Sequence, residues 1–200
     1  MASENLFNPL DKDNLGQSVV EALLGLPAQS FDEITPFKGA GIYAIYYIGS
    51  FESYASLAAS NRKSLSTPIY IGKAVPKGGR KGLENLDSAN SNALLSRLNQ
   101  HARSIDSAKN LNLADFKCRF LAVDDIWIPL GESLLLQKFR PLWNQVVEGF
   151  GNHDPGKGRY NGKRPVWDEI HPGRGWAKKC SAPLLTQPEI IAKIDSYFSE

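Results

Sequence analysis

The run Gly41-Ile42-Tyr43-Ala44-Ile45-Tyr46-Tyr47-Ile48 contains no charged side chain. A segment that is apolar and aromatic throughout has no face to give to water, so it suits a strand buried on both sides. Such a strand needs a layer of structure above it and another below. The rest of the chain is therefore read for the helices and partner strands that supply them.

Residues 14–25 place Val19, Val20, Leu23 and Leu24 on one helical face, with Gly25 as the stop. Residues 49–66 are rich in small side chains and read as a short helix and a loop. A second strand follows at Pro68-Ile69-Tyr70-Ile71-Gly72-Lys73. Beyond it, residues 75–82 hold three glycines and one proline and form a basic loop. Leu94, Leu95, Leu98 and Ala102 mark a helix over 92–104, and 116–123 alternates as a strand. A helix is predicted over 129–140 with Pro129 in its first turn, and another over 187–198 after a turn-rich stretch. The order helix, strand, strand, helix, strand, helix implies an α/β (α+β) protein. We expect a small mixed sheet of about three strands, with a hairpin-like first pair and flanking helices.

With 42% hydrophobic residues in a chain of 200, one domain spanning 1–200 with a sizeable core is expected. No apolar run reaches the roughly 20 residues of a membrane-spanning helix. The first residues lack the basic-then-apolar block of a secretory signal, so a cytoplasmic protein is expected, with no membrane partner. Cys118 and Cys180 read as two thiols rather than a zinc knuckle, and His101, His153 and His171 lack metal-pair spacing.

The net charge of +2 conceals a segregation. Residues 1–40 carry −4, residues 61–110 carry +6 and residues 155–180 carry +5. Two basic blocks inside an acidic frame suit a polyanion such as nucleic acid, if the fold brings them together.

Glu132 is out of place by its own surroundings. At about 100° per residue it falls between Leu135, Leu136 and Phe139 on the apolar face of its helix. A carboxylate there needs a divalent cation, an arginine, or the positive end of its own helix. Arg97 and His101, four apart, share one face at the border of the Leu94/Leu98 stripe and could grip a phosphate.

Gly41-Ile42-Tyr43 on the first strand and Tyr70-Ile71-Gly72 on the second resemble the paired signature of the GIY-YIG nuclease superfamily. Arg97 and His101, then Glu132, then Asn144 follow in the order that superfamily uses. Tyr47-Ile48-Gly49 also spells the second motif but lies too close to Tyr43 to leave the first strand. The connector of 26 residues between Tyr43 and Tyr70, with the phrases FRPLWN, GNHDPGKGR and WDEIHPGRGWA, resembles certain type II restriction endonucleases of this superfamily. The resemblance places a GIY-YIG-type catalytic core at about 37–148 with an insertion at 49–66. A DNA-binding arm is expected over 149–185, and flanking helical segments at 1–36 and 186–200.

The resemblance implies one-step hydrolysis of a DNA phosphodiester. Tyr43, Tyr70, Lys73, Arg97, His101, Glu132 and Asn144 would form the catalytic set, with Glu132 holding one Mg2+ per active site. Tyr43 would act as the base, Tyr70 would orient phosphate or water, and Asn144 would tie the Glu132 helix to the site. An ordinary tyrosine is ionised only about once in a thousand at pH 7, so nearby groups must help Tyr43. Lys73, Arg97 and His101 are the candidates, Lys73 or His101 as the acceptor of its proton.

Lys77, Arg80 and Lys81 of the loop, with Lys157, Arg159, Lys163, Arg164 and Arg174 of the arm, are the candidate DNA contacts. The stretch 151–157 imitates a phosphate loop but has Gly158 where Ser or Thr is needed, so nucleotide binding is rejected. The expected partner is double-stranded DNA at a G·C-rich palindrome, with CCGCGG as the site guess. A homodimer is expected, along with a companion methyltransferase that acts on the same site without stable binding. The alternatives are a structure-selective or repair nuclease of the same superfamily, or a non-catalytic DNA-binding protein.

Overall fold

Every residue of Gly41–Tyr47 is buried, and this strand lies inside the sheet with a neighbour on each side. The computed structural model describes residues 11–76 and 88–199. In chain order the elements are α1 (Lys12–Gly25), β1 (Gln29–Ser30), β2 (Gly41–Tyr47), α2 (Ala55–Lys63), β3 (Tyr70–Ala74), α3 (Ala93–Ser107), β4 (Phe116–Ala122), α4 (Ile128–Phe139), α5 (Leu142–Gln145), α6 (Val166–Ile170) and α7 (Gln187–Ser199). The strands run β1-β4-β2-β3, and every pairing is antiparallel. The α/β character and the hairpin-like β2–β3 pair are as expected. The sheet has four strands rather than about three. Two-residue β1 is too short to show alternation and exists through its register, Gln29 opposite Cys118.

The alternation of β2 explains the layers. Ile42, Ala44 and Tyr46 join Val20 and Leu23 of α1 and Ile128 and Leu135 of α4 in one apolar cluster. Tyr43, Ile45 and Tyr47 join Leu94 and Leu98 of α3, Trp143 and Trp167 in the other. Each large side chain fully withdrawn from water contributes about 1.5–3 kcal/mol before the cost of ordering the chain. Helix α4 stops one residue short of the expected Arg140. That residue turns into the left-handed region at φ 43°, and Pro141 follows it.

The stretch 149–185, expected as a DNA-binding arm, packs into the body: Trp167, Ile170, His171 and Ala177 are buried. The inserted connector meets it there: Tyr54 Oη lies 2.7 Å from His171 Nε2 and accepts from Trp143 Nε1 at 3.1 Å. Turn-rich composition hid this, since four buried anchors spread over a long irregular stretch leave no period to read. Among the described residues, no helix is long and apolar enough to cross a membrane.

Candidate active site

The register of β2 and β3 sets Tyr43 opposite Gly72, which puts Tyr70 two residues back on the same face. The two rings lie 6.3 Å apart. A Cβ on Gly72 would sit 2.3 Å from Tyr43 Oη, so this glycine is the space that the hydroxyl occupies. Gly41 is required by a different approach, since a Cβ there would meet the Leu121 carbonyl oxygen of β4 at 2.0 Å. Both motif glycines are therefore explained by close contact rather than by an unusual backbone angle.

Helix α3 crosses that face and delivers His101 and Arg97. Tyr43 Oη and His101 Nε2 are 2.7 Å apart, both withdrawn from solvent, and His101 stacks on Phe150 at 4.4 Å. Arg97 Nε donates to Tyr43 Oη at 3.4 Å, so the tyrosine's own proton points to His101. Burial pushes the Tyr43 hydroxyl far above its ordinary range, helped by Tyr70 and opposed by Arg97. Burial also drives His101 well below the usual imidazole range, with Arg97 adding to the effect. A neutral phenol donating to a neutral imidazole is thus the resting pair.

Arg97 is gripped from the far side. Its Nη2 donates to the Gly151 carbonyl at 2.9 Å, and its Nη1 donates to His153 Nε2 at 2.5 Å. Because a guanidinium can only donate, His153 must be neutral with Nε2 unprotonated. A cavity of about 140 Å³ opens beside these groups, lined among others by Arg97, Gln100, Arg103 and His153. Phe150, Gly151 and His153 were not among the expected site residues; Gly151 and His153 lie in the stretch 151–157 rejected as a nucleotide loop, within the phrase GNHDPGKGR that carried the resemblance.

Glu132 answers the question raised by its helical position. Its partner is Lys73, with Nζ 2.6 Å from Oε2, and neither an arginine nor the helix end alone balances it. Lys73 lies opposite Ile42, so this pair stands on the α4 face of the sheet while Tyr43 stands on the α3 face. The Glu132 charge nevertheless reaches round to both tyrosines and raises their hydroxyls further. Among the described residues, no group of three or more His, Cys, Asp or Glu side chains gathers to hold a metal alone. A single hard carboxylate fits Mg2+, which is commonly held by one or two carboxylates completed by waters and substrate phosphate. Asn144 spans β3 from outside: its Oδ1 accepts from Ile71 N at 2.8 Å and its Nδ2 donates to Ile71 O at 2.9 Å.

The DNA-facing candidates divide. Lys77, Arg80 and Lys81 lie outside the described residues. Lys157, Arg159 and Lys163 are exposed, and Arg164 is half-buried against Glu169 at 2.9 Å. Arg174 is corrected: it is 6% exposed and ion-paired with Asp168 inside the protein, so it presents no cation to a groove.

No curated protein matches the chain. The family model described as the Eco29kI GIY-YIG domain matches residues 35–198, which takes in the sheet, the tyrosine–histidine pair, Glu132 and the whole C-terminal stretch. The chain therefore belongs to the Eco29kI GIY-YIG domain family, a family of type II restriction endonucleases.

Proposed function

We propose that this protein cuts double-stranded DNA at a specific site by hydrolysing one phosphodiester per strand in a single metal-dependent step. The observation that carries the reading is the Tyr43–His101 hydrogen bond with Arg97 against the same hydroxyl. It supports a proton path in which water gives its proton to Tyr43 Oη as the tyrosine passes its own to His101 Nε2. A coupled transfer avoids an isolated phenolate, which burial makes costly. The negative phosphate entering beside His101 offsets the burial that opposes imidazolium. Lys73 is held by Glu132, so of the two candidate acceptors His101 is the one in contact with Tyr43.

Arg97 is placed to draw negative charge from the phosphorus oxygens as water attacks. Tyr70, whose ring lies beside both Tyr43 and His101, orients the phosphate or the water. Glu132 would hold Mg2+, which supplies neutralisation of the phosphate and of the departing 3′ oxygen. Lys73 balances the carboxylate when no cation is bound. Asn144 fixes β3, and with it Tyr70 and Lys73, against α5.

The exposed Lys157, Arg159 and Lys163 make the salt-sensitive phosphate contacts. A two-fold homodimer on a G·C-rich palindrome, CCGCGG being the first to try, gives one active site per strand. A companion methyltransferase of the same site protects the host. The test is plasmid DNA incubated with the protein in Mg2+ or in EDTA, with the ends sequenced. Discrete Mg2+-dependent fragments sharing one palindrome support the reading. Binding without cutting, or cuts without a shared sequence, sinks it.

A further inference from the structure

Four consecutive carbonyls run along the wall of the site, from Gly149 to Asn152, and two arginines divide them. Arg174 Nη2 donates to Gly149 O at 2.9 Å, and Arg174 Nη1 donates to Phe150 O and to Asn152 O, each at 3.0 Å. The remaining carbonyl, that of Gly151, turns the other way and accepts from Arg97 Nη2 at 2.9 Å. The strip between the arginines also carries Phe150, which stacks on His101, and His153, which accepts from Arg97. A Cβ on Gly151 would lie 2.6 Å from Tyr70 Oη and 3.0 Å from Arg97 Nη2, so the strip presses directly on two site residues.

Arg174 itself has no freedom. Asp168 accepts from its Nε at 2.7 Å and from its Nη2, and its guanidinium lies between the rings of Trp167 and Trp176 at 4.6 and 4.8 Å. A planar fork clamped between two rings and anchored to a buried carboxylate fixes the direction of every N–H it has. Lysine, with one rotatable ammonium, cannot hold three carbonyls and a carboxylate at these positions.

We propose that Arg174 is a positioning residue for the nuclease site: by holding three of the four carbonyls it turns the fourth to Arg97 and seats Phe150 against His101. The inference rests on the proposed nuclease reading. It gives the arginine a role opposite to that of a groove contact, since it acts on the chemistry without touching DNA. A displacement of about 1 Å in a group that stabilises a transition state costs on the order of 100-fold in rate.

The test is Arg174→Lys in the full-length protein, with circular dichroism and thermal melting establishing the folded state. Duplex affinity is measured in Ca2+, the single-turnover cleavage rate in Mg2+, and the Arg97 side-chain 15Nε–1Hε NMR signal without DNA. That signal is assigned by its loss in Arg97→Lys. The expected result is affinity and its salt dependence within about twofold of wild type, a rate lower on the order of 10- to 100-fold, and a shifted Arg97 signal. A folded Arg174→Lys protein with the wild-type rate and an unmoved Arg97 signal overturns the inference. So does weaker binding with a salt slope reduced by about one and an unchanged saturated rate, the signature of a lost phosphate contact. Should Arg174→Lys not fold, Trp176→Leu removes one ring of the clamp and none of its hydrogen bonds, and the same comparison applies. Failure of the wild-type protein to cut any duplex removes the nuclease reading while the NMR result still decides whether Arg174 sets Arg97.

Discussion

Tyr43 Oη and His101 Nε2 lie 2.7 Å apart, both side chains buried, and they come from β2 and α3, 58 residues apart in sequence. Replacing His101 with alanine leaves Tyr43 without a proton acceptor. Cleavage should then fall by about 10²- to 10⁴-fold, with DNA affinity preserved. Because imidazole must be neutral to accept, the wild-type rate should drop on the acid side as His101 protonates. In the DNA-free protein burial holds His101 below the usual histidine range, so the limb in kcat/KM lies below that range and the bound phosphate moves it upward in kcat. Rate–pH profiles of the wild type and of His101→Ala check this, the acid limb attributable to His101 being absent in the variant.

The Lys73–Glu132 pair gives a separate prediction. Glu132→Ala should lose Mg2+-dependent cutting and keep or strengthen DNA binding in EDTA, because a negative charge leaves the path of the phosphate. Lys73→Met should raise the affinity of the DNA-free protein for Mn2+, since the competing ammonium at 2.6 Å is gone. Titration calorimetry with the metal alone reads the second effect, and an unchanged affinity would show that Lys73 does not compete for that carboxylate.

Acid should destabilise the fold through His171. Burial takes this imidazole down to about 3 in the folded chain, against 6.5 when unfolded. The unfolded state therefore binds more protons between those values. Stability is complete above about pH 6.5 and is lost as the pH falls toward 3, at about 1.4 kcal/mol per unit for this group, with His101 adding in the same direction. Denaturant melts across this range, compared with His171→Gln, should show the smaller slope in the variant.

Asn144→Ala removes both hydrogen bonds to the Ile71 backbone and leaves a strand edge uncovered. A loss of about 2 kcal/mol is expected from two hydrogen bonds at roughly 1 kcal/mol each. Urea unfolding measures it, and a loss of a few tenths would mean that water takes over both groups.

The sheet and site were legible to different depths. Gly41–Tyr47 announced itself because a strand buried on both faces has no polar position, and Leu94, Leu95, Leu98 and Ala102 marked α3 by period alone. Glu132 was visible as a carboxylate on an apolar face. Its partner was not, since Lys73 and Glu132 meet only once β3 packs on α4. Arg174 was misread for the same reason. A charge count cannot tell an arginine on a groove from one clamped between Trp167 and Trp176 above a buried Asp168. His153 reaches Arg97 across 56 residues of chain, and no local pattern encodes that contact.

Direct water attack fixes a stereochemical outcome. A duplex with one chiral phosphorothioate at the scissile position should be cut with inversion at phosphorus, because one in-line displacement inverts and two restore. Retention would make Tyr43 or another side chain a nucleophile that forms a covalent intermediate.

Tyr43 carries the most weight, and its removal is the most direct measurement: single-turnover cleavage of the cognate duplex in Mg2+ by wild type and by Tyr43→Phe, at enzyme concentrations that saturate binding. The phenylalanine keeps the ring and its packing and deletes only the oxygen through which the proton passes. A folded Tyr43→Phe protein that binds as the wild type does and cuts at least about 100-fold more slowly is the expected result. Cutting at the wild-type rate would contradict the tyrosine–histidine proton path.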